Sequence, residues 1–176
     1  MPPVARLPGT LSAGELAPKG DDSWFRQVVH GFIGAASVLQ GFREGFAEAL
    51  AVSPNQYLVL IAAAYLEGEE RPTIADLAKY LGIAQPHVTT DAGRLVRAGL
   101  LRKEPHPSDR RSILIRVSPQ GRSALEGVAS LVRTVNDVLF ADITMNEMAV
   151  LDTVTTRLVR NAIRARAELA LALPRA

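Results

Sequence analysis

Along this chain apolar residues recur mostly at the three-to-four spacing of a helix, and alternate with polar ones only briefly. Between Asp21 and Leu50 the positions Trp24, Val28, Phe32, Leu39, Phe42 and Phe46 keep the helical period, and Asp21 or Ser23 is placed to cap the first turn. Gly31, Gly34, Gly41 and Gly45 fall inside this helix. Each costs roughly 1 kcal/mol relative to alanine. Either a second helix or a ligand fills the missing side-chain space, or the helix bends there. Ser53-Pro54 supplies a cap and a first-turn proline for a second helix, which continues through the nearly all-apolar Gln56–Leu66 and closes by Gly68 and Pro72.

Shorter elements follow. Thr73-Ile-Ala-Asp76 has the form of a capping box and starts a helix that stops at Gly82. The next helix runs from about Gln85 to Ala98, with Gly99 as its C-terminal glycine. Leu100–Glu104 and Ser112–Val117 read as two short strands; in the second, Ile113, Ile115 and Val117 alternate with Leu114 and Arg116. His106-Pro-Ser-Asp-Arg-Arg111 joins them as a turn-rich, basic tip. Ser118-Pro119 begins a helix to about Phe140, and the capping box Thr144-Met-Asn-Glu147 begins a last one to about Leu171. Met1–Gly20, with four prolines and three glycines, reads as a flexible tail or as a segment that packs on a partner subunit. No internal repeat is present.

Composition narrows the chemistry. The 176 residues suffice for a hydrophobic core without disulfides. No apolar stretch approaches the roughly 20 residues of a membrane span, and no basic cluster leads into an apolar run as in a signal peptide. The chain has no cysteine, which excludes thiolate catalysis, thiol redox sensing and Cys-ligated zinc. Three scattered histidines argue against a His-based metal site. The expectation is a cytoplasmic protein with neither metal nor cofactor.

The net charge of +2 conceals an uneven distribution. From Arg71 to Val117 nine Lys/Arg face four Asp/Glu; elsewhere eleven face fourteen. A basic module on a mildly acidic scaffold fits contact with a polyanion, against the alternative of a chance fluctuation in surface charge. The basic third also holds two short helices around a glycine turn and then a hairpin, the pattern of a winged helix-turn-helix. Ile74, Leu77, Ala78 and Leu81 face inward from the first helix, Ile83 follows the turn, and Val88 and Leu95 anchor the second. The outward face of the second helix then presents Gln85, His87, Thr89, Thr90 and, one turn on, Arg94. An α-helix fits the DNA major groove, where Gln suits adenine and Thr offers a hydroxyl and a methyl. Arg94, Arg97 and Lys79 read as phosphate contacts, which give affinity and register rather than sequence.

These residues resemble the MarR family of bacterial transcription regulators. The resemblance runs through Ser53-Pro-Asn-Gln-Tyr57, Leu77-Ala-Lys-Tyr-Leu-Gly82, Arg94-Leu-Val-Arg-Ala-Gly-Leu-Leu101, Asp109-Arg-Arg111 and Val117-Ser-Pro-Gln-Gly121. With the order of the flanking helices it covers roughly Asp21 to Leu171. It implies a mainly α fold with a small β-wing. The parts are a tail (1–20), a dimerisation helix (21–52), a DNA-binding lobe (53–117) and C-terminal dimerisation helices (118–176). It implies a homodimer that binds palindromic double-stranded DNA. At the wing tip it implies that Arg111 enters the minor groove beside Arg110, with Asp109 as a brace; the alternative is a solvated basic turn. Two positions depart from the family: Ala84 stands where Ser or Thr usually caps the recognition helix, and Thr90 where a long polar residue is frequent.

Many relatives are repressors released by a small phenolic or carboxylate ligand. On the first helix Arg26 and His30 are spaced i,i+4 and share a face. Arg26 suits a carboxylate and His30 a phenolic hydroxyl, with Trp24, Phe32 and Tyr57 as apolar walls. The alternative makes Arg26 a surface residue and His30 an interior or interface one. No Ser/His/Asp order, phosphate loop or metal spacing suggests an enzyme. The expectation is a DNA-binding regulator, a repressor released by a small aromatic or carboxylate ligand. The rivals are a winged-helix protein-interaction module and a ligand-independent DNA-binding protein.

Overall fold

The computed structural model describes residues 8–12, 14–68, 71–106 and 112–173. The chain divides into two compact units, residues 1–54 and 55–176. Among the described residues no single helix is long and apolar enough to cross a membrane.

In the first unit helix α1 spans Ser23–Ala49. The Asp21 carboxylate accepts the Ser23 N–H at 2.9 Å, while Asp22, at the cap position, makes no cap bond. The Asp22 carboxylate instead accepts the Thr10 N–H at 2.5 Å and the Thr10 hydroxyl at 2.7 Å, and pairs with Arg26 at 2.8 Å. Arg26 also donates to the Pro8 carbonyl at 3.2 Å. Within the stretch read as a tail, Pro8 and Thr10 are thus tied to the helix start, Ala17 is buried, and Pro18–Gly20 forms a 3-10 turn. Of the α1 residues only Phe46 and Ala47 are buried; Trp24, Val28, Phe32, Ile33, Leu39 and Phe42 are exposed. A Cβ at Gly31, Gly34, Gly41 or Gly45 would meet nothing within 4 Å.

The two Thr10 donors, backbone first, hold the Asp22 carboxyl below its ordinary range, and Arg26 adds to this. A depressed folded value means stabilisation present above the unfolded value of about 3.9 and lost as pH falls through the folded one. Asp22→Asn should therefore melt lower than the parent at pH 7, and the gap should close as the pH drops below about 3.9. Melting curves over a pH series check this; a gap independent of pH would contradict it.

The second unit is built on α2 (Pro54–Leu66), α3 (Ile74–Leu81), α4 (Gln85–Arg97), β1 (Leu101–Pro105), β2 (Ile113–Val117), α5 (Pro119–Leu139) and α6 (Met145–Ala172). Its core joins Val59 and Leu60 of α2, Leu77 of α3, Val88 and Leu95 of α4, and Leu101, Ile115 and Val117 of the strands. Local chemistry sets the element ends. Thr73 and Asp76 complete the capping box of α3, and Gly82 ends that helix in the left-handed conformation at φ 64°. Leu100 N–H bonds the Leu95 carbonyl at 2.9 Å, closing α4 over Gly99, whose φ is +75°. This turn uses Leu100, so β1 begins at Leu101, one residue later than the sequence pattern suggests. Strands β1 and β2 pair antiparallel, Leu101 opposite Val117 and Pro105 opposite Ile113. The chain before α3 adds a short third pairing: Thr73 bridges Leu114, and Ile115 N–H bonds the Pro72 carbonyl at 2.8 Å. Ser118 caps α5 by accepting the Gly121 N–H at 2.9 Å, and donates its hydroxyl to the Gly99 carbonyl. Thr144 and Glu147 form the capping box of α6, a helix with no buried residue.

Candidate nucleic-acid interface

The face that α4 offers is decided by the face it buries. Val88, Asp91, Ala92 and Leu95 are its buried residues, at the i, i+3, i+4 and i+7 spacing of one stripe. Gln85, His87, Thr89, Thr90, Arg94 and Arg97 are all exposed, as expected from the sequence. Ala84 occupies the cap position without a side-chain cap bond, and Pro86 sits in the first turn. The Thr89 hydroxyl donates to the Gln85 carbonyl at 2.9 Å and that of Thr90 to the Pro86 carbonyl at 3.0 Å. Both hydroxyl protons are thereby used within the helix. Each side chain keeps an accepting oxygen and a methyl, which suit the amino groups of adenine or cytosine and the methyl of thymine.

Basic side chains are exposed on the same lobe. Lys79 is exposed on α3, and Arg97 is exposed at the end of α4. Arg94 lies 3.5 Å from the carboxylate of Asp91 with its side chain half exposed. Asp109, Arg110 and Arg111 lie outside the described residues. Two cations that the pattern does not single out, Arg102 and Lys103, are exposed on β1. The available signal was their place in a basic strand beside a basic turn.

The five residues read as a ligand set do not form one cluster within a unit. Trp24, His30 and Phe32 are exposed on α1, and Arg26 is engaged by Asp22 and Pro8. Tyr57 belongs to the second unit, where it is buried and its hydroxyl pKa is pushed up by that burial. It lines an open cleft of about 470 Å³ between α2 and α5, with Ile61, Leu125, Val128, Val132 and Arg133. No group of three or more His, Asp or Glu that could hold a metal occurs among the described residues.

Residues 52–112 match the model of the MarR family. No curated protein matches the chain in sequence. Among solved structures, it is similar to the MarR family transcriptional regulator Sco3205 from Streptomyces coelicolor in complex with DNA. The TM-score is 0.66 and the identity 23%, over 80% of this chain and 92% of that one. It is similar to NadR in complex with 4-hydroxyphenylacetate at a TM-score of 0.67 and 18% identity, over 87% and 98%. It is also similar to the M. tuberculosis regulator MOSR in complex with DNA, at 0.60 and 20% identity, over 78% and 97%. Proteins of the MarR family are transcription regulators, not enzymes. The basic lobe thus matches the MarR family model over residues 52–112, and the chain shares the winged-helix fold of these solved regulators.

Proposed function

We propose that the chain is a sequence-specific DNA-binding regulator that acts as a homodimer on a palindromic operator and represses by occupying it. The observation that carries this reading is the exposed polar set Gln85, His87, Thr89 and Thr90, opposite the buried stripe of α4, on a lobe that also exposes Lys79, Arg94, Arg97, Arg102 and Lys103. Asp109, Arg110 and Arg111 complete the surface by resemblance. The dimer is supported by the exposed apolar residues of α1 and by those of α6, among them Leu151, Val154 and Leu158. The open glycines of α1 leave room for a closely packed second helix. A two-fold dimer sets two recognition helices one turn of DNA apart, roughly 34–36 Å.

Selection from a random duplex pool tests this. It should return an inverted repeat with half-sites spaced by a turn of DNA, bound by two chains. Gln85→Ala and Thr89→Ala should relax preference at specific half-site positions, each by about 1–3 kcal/mol. Recovery of no preferred sequence, with binding to another protein instead, would favour the interaction-module reading.

The effector is proposed to be a small aromatic carboxylate or phenol. NadR is solved with such a molecule, 4-hydroxyphenylacetate. In this chain the cleft of Tyr57 and Arg133 joins an aromatic wall to a cation. Arg26 and His30 remain the second seat; there the ligand competes with Asp22 for the guanidinium. The effector releases DNA by favouring a dimer whose recognition helices no longer match the half-site spacing.

A further inference from the structure

Among the described residues of the lobe, Glu67 is an acid whose side chain is nearly sealed from water. Glu67 follows the last turn of α2, and its side chain is 7% exposed. Its two oxygens are both used. Oε1 accepts from Arg116 Nε at 3.0 Å, and Oε2 accepts from Arg122 Nη2 at 2.8 Å. Arg116 belongs to β2 and Arg122 to the start of α5, so one carboxylate ties three elements. A second carboxylate extends the tie. Glu104 of β1 pairs with Arg116 at 3.6 Å and accepts from Arg71, just before α3. The hydrogen bond to Glu67 is the main cause raising the Arg116 guanidinium pKa above its already high ordinary value.

Two charge-assisted hydrogen bonds offset the cost of burying one carboxylate; removal of the acid would take the shorter partner from Arg116, leaving it Glu104, and the carboxylate from Arg122. The geometry also has a directional effect. Glu67 and Glu104 moor both wing strands to the segment between α2 and α3, while Thr73 and Pro72 pair with β2 from the same segment. The joint therefore holds both wing strands to the segment before α3 and ties β2 to α5. The joint also engages two arginines that could otherwise turn toward a phosphate, Arg122 more readily than Arg116, which keeps Glu104.

We propose that Glu67 is a positioning residue for DNA recognition: it fixes the wing against α5 and keeps Arg116 and Arg122 from indiscriminate phosphate contact. This rests on the DNA-binding reading above. A negative charge in a basic lobe should weaken DNA binding by simple Coulomb repulsion, so its removal should help all duplexes alike. The positioning role predicts a split instead.

The probes are an inverted-repeat duplex selected by the parent protein and a scrambled duplex of the same length. Glu67→Gln keeps the shape and removes the charge. It should bind the selected duplex less tightly and the scrambled one as well as the parent or better. The ratio of the two affinities should fall about tenfold, within the range expected for contacting residues. Its binding to scrambled DNA should depend more steeply on salt, by roughly 0.9 in the log–log slope for each arginine that reaches a phosphate. Arg122→Gln, which leaves the Glu67–Arg116 bond in place, should lower the ratio by a smaller factor. This second variant decides the matter if Glu67→Gln does not fold. If the variants keep the parent's ratio, or gain equally on both duplexes, the positioning role is overturned while the DNA-binding reading stands. If the parent chain itself binds no DNA, both fall together.

Discussion

Gly121→Ala should destabilise the winged lobe by about 3 kcal/mol, the upper end for an added methyl in a packed site. A Cβ at this position would overlap the carbonyl oxygen of Leu100 and stand 3.0 Å from Val117 Cγ1. The first of these neighbours is backbone, so no rotamer change relieves the clash. Leu100 is held on both sides: its N–H bonds the Leu95 carbonyl, and its own carbonyl accepts the Ser118 N–H at 3.0 Å. The methyl must push α5 away from the end of α4, and the Ser118–Gly99 bond lies in its path. For a chain of this size the melting point should fall by roughly 6–12 °C. Gly127→Ala is the internal control, because nothing lies within 4 Å of its Cβ position on the same helix. That variant should be neutral or gain up to about 1 kcal/mol from the better helix former. Equal melting points for the two variants would contradict the close approach at Gly121.

The affinity for an operator duplex should fall by roughly 10³–10⁵ between 50 and 200 mM salt. The magnitude follows from the number of free cations. Each chain exposes Lys79, Arg94, Arg97, Arg102 and Lys103 on the lobe that holds the recognition helix, so the proposed dimer brings ten. Arg116 and Arg122 are left out because Glu67 engages them, and Arg94 is discounted in part for its carboxylate neighbour Asp91. Six to ten phosphate contacts give a log–log slope of about −5 to −9. Fluorescence anisotropy of a labelled duplex over a salt series reads it directly. Removing Lys103 in each chain should reduce the slope by about one unit for every phosphate left without its lysine, and should weaken all duplexes similarly. A flat salt dependence would sink the phosphate assignment.

Much of the lobe was legible because its signals are local. Thr73 with Asp76, Thr144 with Glu147, Gly82, Gly99 and Ser118 act within a few residues of themselves, and each stands where the pattern places it. The recognition face was legible for a related reason: once Val88 and Leu95 are known to be buried, helix geometry turns Thr89 and Thr90 away from the core, while Gln85 is exposed as the first residue of the helix. The ligand set was harder. Spacing puts Arg26 and His30 on one face of α1, but spacing does not reveal that Asp22, one turn before Arg26 and itself held by Thr10, occupies the guanidinium. Arg102 and Lys103 belong to the basic third, but alternation along a strand does not say which residues remain exposed.

The sequence by itself determined the helices and their ends, the winged motif, the basic third and the residues that α4 turns outward. These depend on backbone preferences and on periodicity, which act over one or two turns. Only the tertiary structure decided what meets across distance. Glu67 lies 49 residues from Arg116 and 55 from Arg122. Thr10 lies 12 from Asp22, and Gly121 meets Leu100 across the whole wing. No periodicity links such pairs. An acid near the end of a helix reads as a solvated charge until the fold buries it between two arginines, and a glycine in a first helical turn reads as a mere tolerance until a carbonyl oxygen stands where its side chain would be.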